Sequence, residues 1–326
     1  MTEKLKKVFG TRETVYLLLA FASVYLIWGS TYLGIKYAIQ TIPTFLMAAV
    51  RFLVAGFVLY LLGRFSKGYE RPSLRHWKTS FIVGALLLGI GNGGVVMAEH
   101  YLSSSLTALL IATNPFWIVL ISWLFMGKGR PSGKVVLGLA VGFAGVAMLI
   151  VGQENDGSGE GQWRGIALIM FATLGWAIGS LYGAAAPVAK GLLLGAGMQM
   201  LAGGAILFAI SLITGEWRTF DIKSVSRESW IALVYLIVVG AIVAYTAYSW
   251  LMKNASPSAV STYAYVNPAI AVVLGWLIAG ESLTGQMLIG AIAIVGSVVL
   301  ITAGKQKAVP LDDDTYRDEI HCTASA

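Results

Sequence analysis

Ten stretches of this 326-residue chain are apolar for long enough to cross a bilayer, and no other feature limits its fold as tightly. A spanning helix needs about 20 predominantly apolar residues. The runs fall at about 15–35, 43–63, 79–99, 103–126, 134–152, 164–185, 191–214, 229–251, 257–279 and 284–303. They are continuous rather than alternating, and about twice as long as a membrane strand requires. The chain therefore reads as an all-α membrane protein with ten transmembrane helices. Only 12 % of its residues are charged and 57 % are hydrophobic. A soluble fold cannot hide so much apolar surface, so a soluble enzyme, a disordered chain and a disulfide scaffold are excluded.

Lys4, Lys6 and Lys7 precede the first run, and Ala20-Phe21-Ala22 imitates a cleavage site. The run continues to about Ile35, too far for a signal peptide, and reads as a first span. The basic residues then orient the chain. With the N-terminus inside, 17 of the 23 Lys and Arg fall in inner segments, including Arg64, Lys67, Arg71, Arg75, Lys78, Lys128 and Lys190. Five fall outside (Lys36, Arg164, Arg218, Lys223 and Arg227), and Arg51 alone lies inside a span. This bias predicts a multi-pass protein of the cytoplasmic membrane with both termini cytoplasmic. It also explains the net charge of +7 without a nucleic-acid partner. Cys322 has no second cysteine to pair with, and His76, His100 and His321 are far apart, so no metal site or cofactor is expected.

The organisation expected is a cytoplasmic N-terminus over 1–14, a five-helix repeat over 15–152, an outer linker over 153–163, a second repeat over 164–303 and a disordered tail over 304–326. Ser103–Gly127 matches Ser256–Gly280 at eight of 25 positions without a gap, including Asn114-Pro115 with Asn267-Pro268. Likewise Gly29-Ser30-Thr31-Tyr32 matches Gly179-Ser180-Leu181-Tyr182. Five is odd, so the second repeat must cross upside down. The charges agree: Lys128 follows Gly127 on the inner side, whereas Glu281 follows the equivalent Gly280 on the outer side. Inverted repeats of this kind recur in secondary transporters, with the substrate site near midplane between the halves.

Several of these residues carry a family resemblance. Trp28-Gly29-Ser30-Thr31-Tyr32, Arg51-Phe52, Asn114-Pro115, Tyr263-Ala264-Tyr265-Val266-Asn267-Pro268, Gly275-Trp276 and Gly280-Glu281 resemble the EamA-type branch of the drug/metabolite transporter superfamily. The likeness runs from about Tyr16 to Thr302. Gly91-Asn92-Gly93 and Ala98-Glu99-His100 are similar to a subgroup of inner-membrane exporters. The resemblance implies a ten-helix inverted-repeat bundle that exports small solutes by alternating access. It says little about which solute.

Polar groups in lipid are costly and by default face the bundle interior or a cavity. Arg51 either serves an anionic substrate or snorkels and binds carbonyls on a neighbouring helix. Glu99 closes the third span seven residues after Asn92, on the same helix face, and with His100 is the candidate for proton coupling; an ordinary interfacial pair is the plain alternative. Pro115 and Pro268 are candidate hinges, each freeing a carbonyl one turn earlier, assigned to Leu110 and Tyr263. Trp28, Tyr32, Trp176, Tyr182, Tyr245, Tyr248, Tyr263 and Tyr265 crowd four spans, and an aromatic cavity suits apolar or cationic solutes. Ser30, Ser180, Asn92, Asn114 and Asn267 complete the substrate-pathway set. Gly175, Gly179 and Gly183, like Gly138 and Gly142, recur every four residues and read as helix-packing stripes.

Other chemistries lack their motifs. Gly89-Ile90-Gly91-Asn92-Gly93-Gly94 fits a dinucleotide fingerprint but sits inside an apolar span with no preceding strand. No phosphate-loop motif is present, and Asn254-Ala255-Ser256 precedes a proline on the inner side. No span holds a zinc motif or paired buried carboxylates for an intramembrane protease. The expected function is therefore secondary export of small metabolites, such as amino acids, related solutes or drugs, driven by the proton gradient or by substrate exchange. A passive facilitator or exchanger is the alternative. The expected partners are a small-molecule substrate and the bilayer, with either a monomer or a homodimer compatible.

Overall fold

The computed structural model describes residues 11–126, 130–151, 159–255, 260 and 263–304. The first ten residues, Lys128 with its share of the charge reversal, the acidic connector 152–158, the tail with Cys322 and the Tyr265 side chain lie outside this description.

Every apolar run becomes helical, and no strand occurs among the described residues. In chain order the helices are α1 (Thr11–Ala38), α2 (Thr44–Arg64), α3 (Leu74–Ala98), α4 (Ser104–Ile111), α5 (Asn114–Phe125), α6 (Gly133–Val151), α7 (Gly159–Ala185) and α8 (Leu192–Ile213). Then come α9, which runs from Arg227–Tyr235 through Leu236–Val243 to Ala244–Asn254, α10 (Tyr263–Ala279) and α11 (Gly285–Gly304). Seven helical stretches are long and apolar enough to cross a membrane, and Gly133–Met148, Val266–Ala279 and Gly285–Ile301 are shorter apolar helices. Bulky apolar side chains remain on the outside, among them Ile213 at 85 % and Ile292 at 73 % exposure. That is the surface of a bundle whose solvent is lipid.

Serines start several helices. Ser73, Ser103 and Ser226 each accept a backbone N–H of the following turn and satisfy one orphan donor. Two boundaries differ from expectation. Helix α7 begins at Gly159, so 159–163 belongs to it rather than to a linker. The run 103–126 is not one helix but two, α4 and α5, parted at Ala112 and Thr113. Pro115 lacks an N–H and sits in the first turn of α5, where none is needed. The carbonyl four residues before Pro115 is that of Ile111, not Leu110, and Leu110 accepts from the N–H of Thr113 at 3.1 Å and from its hydroxyl at 2.6 Å.

The packing is reciprocal between the halves. Helix α1 lies against α9 and α10 of the second half, and α7 lies against α3, α4 and α5 of the first. Helix α2 packs along α8, and α6 along α11. The close pairs meet through glycines. At Gly63 a methyl would come within 2.6 Å of the Leu194 backbone, and at Gly138 within 2.8 Å of Ile301. Small residues let backbones approach where lipid supplies no hydrophobic drive. Both α3 and α9 contain an eight-residue π-helical segment, Ala85–Asn92 and Leu236–Val243, at equivalent places in the two halves. Such segments are rare and gather at functional sites.

The two ends of the bundle differ. One carries Arg64, Lys67, Arg71, Arg75, Lys78 and Lys190 and is called the basic end below. At the far end, hydrogen bonds cross between the halves. The Glu281 carboxylate accepts from the N–H and hydroxyl of Ser104 at 2.8 and 2.7 Å and from the Ser105 N–H at 3.1 Å, and it also meets the Ser105 hydroxyl. Glu216 accepts from Phe45 and Leu46 N–H at 3.1 and 2.8 Å. Each carboxylate thus caps the N-terminus of a helix in the other half, where unpaired donors and the helix dipole favour an anion.

Candidate functional site

Between the halves lies a cavity of about 560 Å³, lined by α1–α5 and α7–α11. Trp28, Tyr32, Arg51, Asn92, Asn114, Pro115, Trp176, Ser180, Tyr245, Tyr248, Asn267 and Pro268 all face it. The repeat-derived and buried-polar candidates are therefore brought to one place. Gly91 makes room for Trp176: a methyl there would come within 2.9 Å of the indole.

The cavity has two unlike regions. Towards the far end, Arg51 is 7 % exposed, and its Nε is buried with no partner. Its guanidinium stacks on Phe52 at 4.9 Å, but no carbonyl or carboxylate binds it among the described residues. Asn114 adds a buried acceptor, Oδ1, that is also unpartnered. Towards the basic end stands an aromatic cluster. Trp28 lies 5.2 Å from Tyr248 and 5.1 Å from Tyr263 between ring centroids, and Tyr248 lies 5.9 Å from Tyr245. Gly240 of α9 sits beside the guanidinium, and Tyr245 and Tyr248 follow five and eight residues later. At the rise of a helix this puts the charged and aromatic regions roughly 7–12 Å apart.

Other candidates sit elsewhere. Ser30 is hydrogen-bonded to Tyr235 and to the Ile27 carbonyl and does not line the cavity. Tyr182 is 37 % exposed, an outer-surface side chain. Glu99 does not line the cavity. Helix α3 ends at Ala98, and Glu99 turns into the plug at the far end, where it is fully buried and both carboxyl oxygens lack partners. The Lys36 ammonium donates to the backbone carbonyls of Glu99 and Leu102 at 2.6 and 3.0 Å, not to the carboxyl. His100 Nε2 meets the Thr44 hydroxyl at 2.6 Å. Burial, then the Lys36 ammonium, holds His100 below the usual histidine range, with Glu216 opposing.

Asn267 is a fastener as well as a lining residue. With its amide nitrogen turned towards the acceptors, it donates to Tyr25 O at 3.3 Å and Tyr263 O at 3.1 Å, joining α1 to α10. The Tyr263 carbonyl is therefore used, and the carbonyl four residues before Pro268 is that of Ala264, not Tyr263. Sequence reasoning missed Thr31, Thr173 and Gln199, which also line the cavity. Gln199 carried a signal, since it is an amide inside an otherwise apolar run. Thr173 did not, because its hydroxyl is spent on the Ile169 and Met170 carbonyls and the Trp117 indole N–H. Among the described residues no cluster of His, Cys, Asp or Glu is arranged to hold a metal.

A two-part cavity inside a lipid-facing helix bundle is the arrangement of a membrane transporter. The EamA-like transporter family matches this chain over residues 14–151 and 163–303, and the chain belongs to that family. It is 39 % identical over 295 residues to the inner membrane transporter YedA of Escherichia coli, covering 90 % of this chain and 93 % of YedA. It is 27 % identical over 302 residues to the transporter YvbV of Bacillus subtilis, covering 90 % and 92 %. A solved crystal structure has the same fold at a TM-score of 0.60 and 18 % identity, covering 90 % of this chain and 99 % of that one.

Proposed function

We propose that this transporter exports small amphipathic solutes bearing an anionic group across the cytoplasmic membrane. Ten helices cross as two inverted five-helix repeats, and the halves rock about the cavity to expose it on alternate sides. The observation that carries the reading is Arg51: a buried guanidinium, facing a cavity, with no carboxylate bonded to it among the described residues. An uncompensated charge there is costly, and a solute carboxylate or phosphate would relieve it through paired hydrogen bonds. The aromatic cluster then receives the apolar body. The reciprocal packing and the paired π-helical segments support the inverted arrangement, and the hydrogen bonds at the far end support a state closed on that side.

Glu99 supplies the coupling. A buried carboxyl with no hydrogen bond to either oxygen favours its neutral form, so Glu99 takes up a proton from outside while the plug is open, keeps it when the plug closes, and releases it towards the cytoplasmic side once the cavity opens there. One proton moving through 100 mV supplies about 2.3 kcal/mol.

Proteoliposomes test both parts. An aromatic monocarboxylate should exchange by counterflow, its neutral analogue poorly. Arg51→Gln should raise KM for the carboxylate at least tenfold and erase the preference. Equal transport of the two analogues by the native protein would overturn the anionic assignment. Glu99→Gln should abolish uphill, pH-driven transport while leaving counterflow intact. Uphill transport by that variant would remove Glu99 from coupling.

A further inference from the structure

A second cavity, separate from the first, opens at the basic end. It measures about 750 Å³ and is lined by Tyr60, Arg64, Tyr69, Arg71, Pro72, Leu74 and Trp77, from the end of α2, the connecting loop and the start of α3. We propose that it binds the phosphate of an anionic phospholipid headgroup.

Three observations converge on this assignment. First, the charge is unbalanced. Arg64, Lys67, Arg71, Arg75 and Lys78 crowd this segment, and Glu70 is its one acid. Glu70 is engaged by Lys190 of the other half at 2.6 Å, which leaves the two arginines of the cavity without a carboxylate among the described residues. Guanidinium groups match phosphate oxygens with paired donors, and Arg is the residue suited to planar, bidentate anion recognition.

Second, the site is held in shape. Arg64 donates to the Tyr69 hydroxyl at 3.1 Å and lies over its ring at 5.4 Å. Tyr60 and Trp77 face each other at 6.0 Å. Tyr60 and Tyr69 rest on the buried cluster of Ala189, Leu194 and Met198, so the arginine platform is braced by α8.

Third, the rim is made for lipid rather than water. Phe65 is 80 % and Leu74 87 % exposed beside the arginines, and Leu62 and Phe81 continue the apolar surface along α2 and α3. A soluble phosphate has no use for these side chains, whereas acyl chains hanging from a bound headgroup would cover them. Basic pockets between membrane helices at the positively charged face are where anionic headgroups bind, with aromatic rings at headgroup depth.

The test uses the full chain, purified in a nonionic detergent. Phosphatidylglycerol, phosphatidylcholine and glycerol 3-phosphate are added separately. Retained lipid is counted by native mass spectrometry and stability is read as Tm. Phosphatidylglycerol should be retained and raise Tm by several degrees, and the other two should do neither. The double variant R64Q/R71Q should hold phosphatidylglycerol at least tenfold more weakly, and R218Q, an exposed arginine at the far end, should bind as the native chain does. Both cavity arginines are exposed, so the variants should fold, and size exclusion checks that they do. Equal retention by R64Q/R71Q, equal retention of phosphatidylcholine, or the full effect with glycerol 3-phosphate alone would each overturn the assignment. The last result would make the ligand a soluble phosphate.

Discussion

Asn114-Pro115 and Asn267-Pro268 are the same two residues at the same place in the repeat, and the chain uses them in opposite ways. Pro268 rides inside α10, and Asn267 is fastened to Tyr25 and Tyr263. Pro115 opens a new helix after a break, and Asn114 Oδ1 has no partner. The carboxylates divide the same way. Glu281 of the second half is saturated by Ser104 and Ser105, whereas Glu99 of the first has neither oxygen paired. Arg51 adds a third open group to the first half. Of the buried unpartnered side-chain atoms among the described residues, only Ser211 Oγ comes from the second half. Unpaired buried polar groups cost free energy, and they persist where a solute or proton completes them. The second half acts as the frame, and the first holds the groups left open for chemistry.

The strongest way to break this contrast is to cut the frame. Glu281→Ala removes charge-assisted bonds from four donors and should lower stability by about 2–4 kcal/mol, read as a fall in Tm in detergent, with transport lost alongside. Gly275→Ala should mimic it without touching the charge. A methyl at that position would collide with the Glu281 carboxylate and the Ser105 hydroxyl. Gly280, at φ +65°, turns the chain so that Glu281 N–H reaches Gly275 O at 3.0 Å. A Gly275→Ala variant as stable as the native protein would show that the clamp contributes nothing.

The two asparagines sharpen the comparison at a smaller scale. Asn267→Ala gives up one hydrogen bond to α1 and one within α10 and should cost about 1–2 kcal/mol. Asn114→Ala removes an acceptor that has no partner, so stability should stay within about 0.5 kcal/mol while KM for the transported solute rises several-fold. Thermal melts and counterflow kinetics on the same preparations separate the two. Equal losses of stability would dissolve the distinction between frame and open group.

Much of this was legible before any coordinate. Apolar run length alone located the long helices, though not the break at Ala112 and Thr113, because lipid leaves the backbone few other ways to satisfy itself. The gapless repeat pointed to Asn114, the lone buried charge to Arg51, and the crowding of aromatics to Trp28 and Trp176, and all four line one cavity. What the sequence could not tell was which polar groups are spoken for. Ser30 looked as available as Ser180 but is bound to Tyr235, and Asn267 looked as free as Asn114. Partnering depends on contacts across two hundred residues of chain, which periodicity does not encode. Glu99 caps α3 at the far end, where the close of the third apolar run put it, but the spacing could not tell that both its oxygens would be buried without a partner.

The smallest expected effect concerns the far-end plug that both halves share. His100 sits beside Lys36 and receives or gives a hydrogen bond at Thr44. Its pKa in the folded chain is below its ordinary value, so the folded protein prefers the neutral ring. The stability this contributes is present above the unfolded pKa, near 6.5, and is lost as pH falls through the folded value, because the unfolded chain takes up the proton first. Tm should therefore decline from neutral towards pH 5, and His100→Gln should flatten that part of the profile while leaving Tm at pH 8 nearly unchanged. Glu281→Gln, which weakens the neighbouring clamp at every pH, should shift the whole profile downward without changing its slope there. A profile for His100→Gln as steep as the native one would move the acid sensitivity to another group of the plug, and Glu99 would be the next to test.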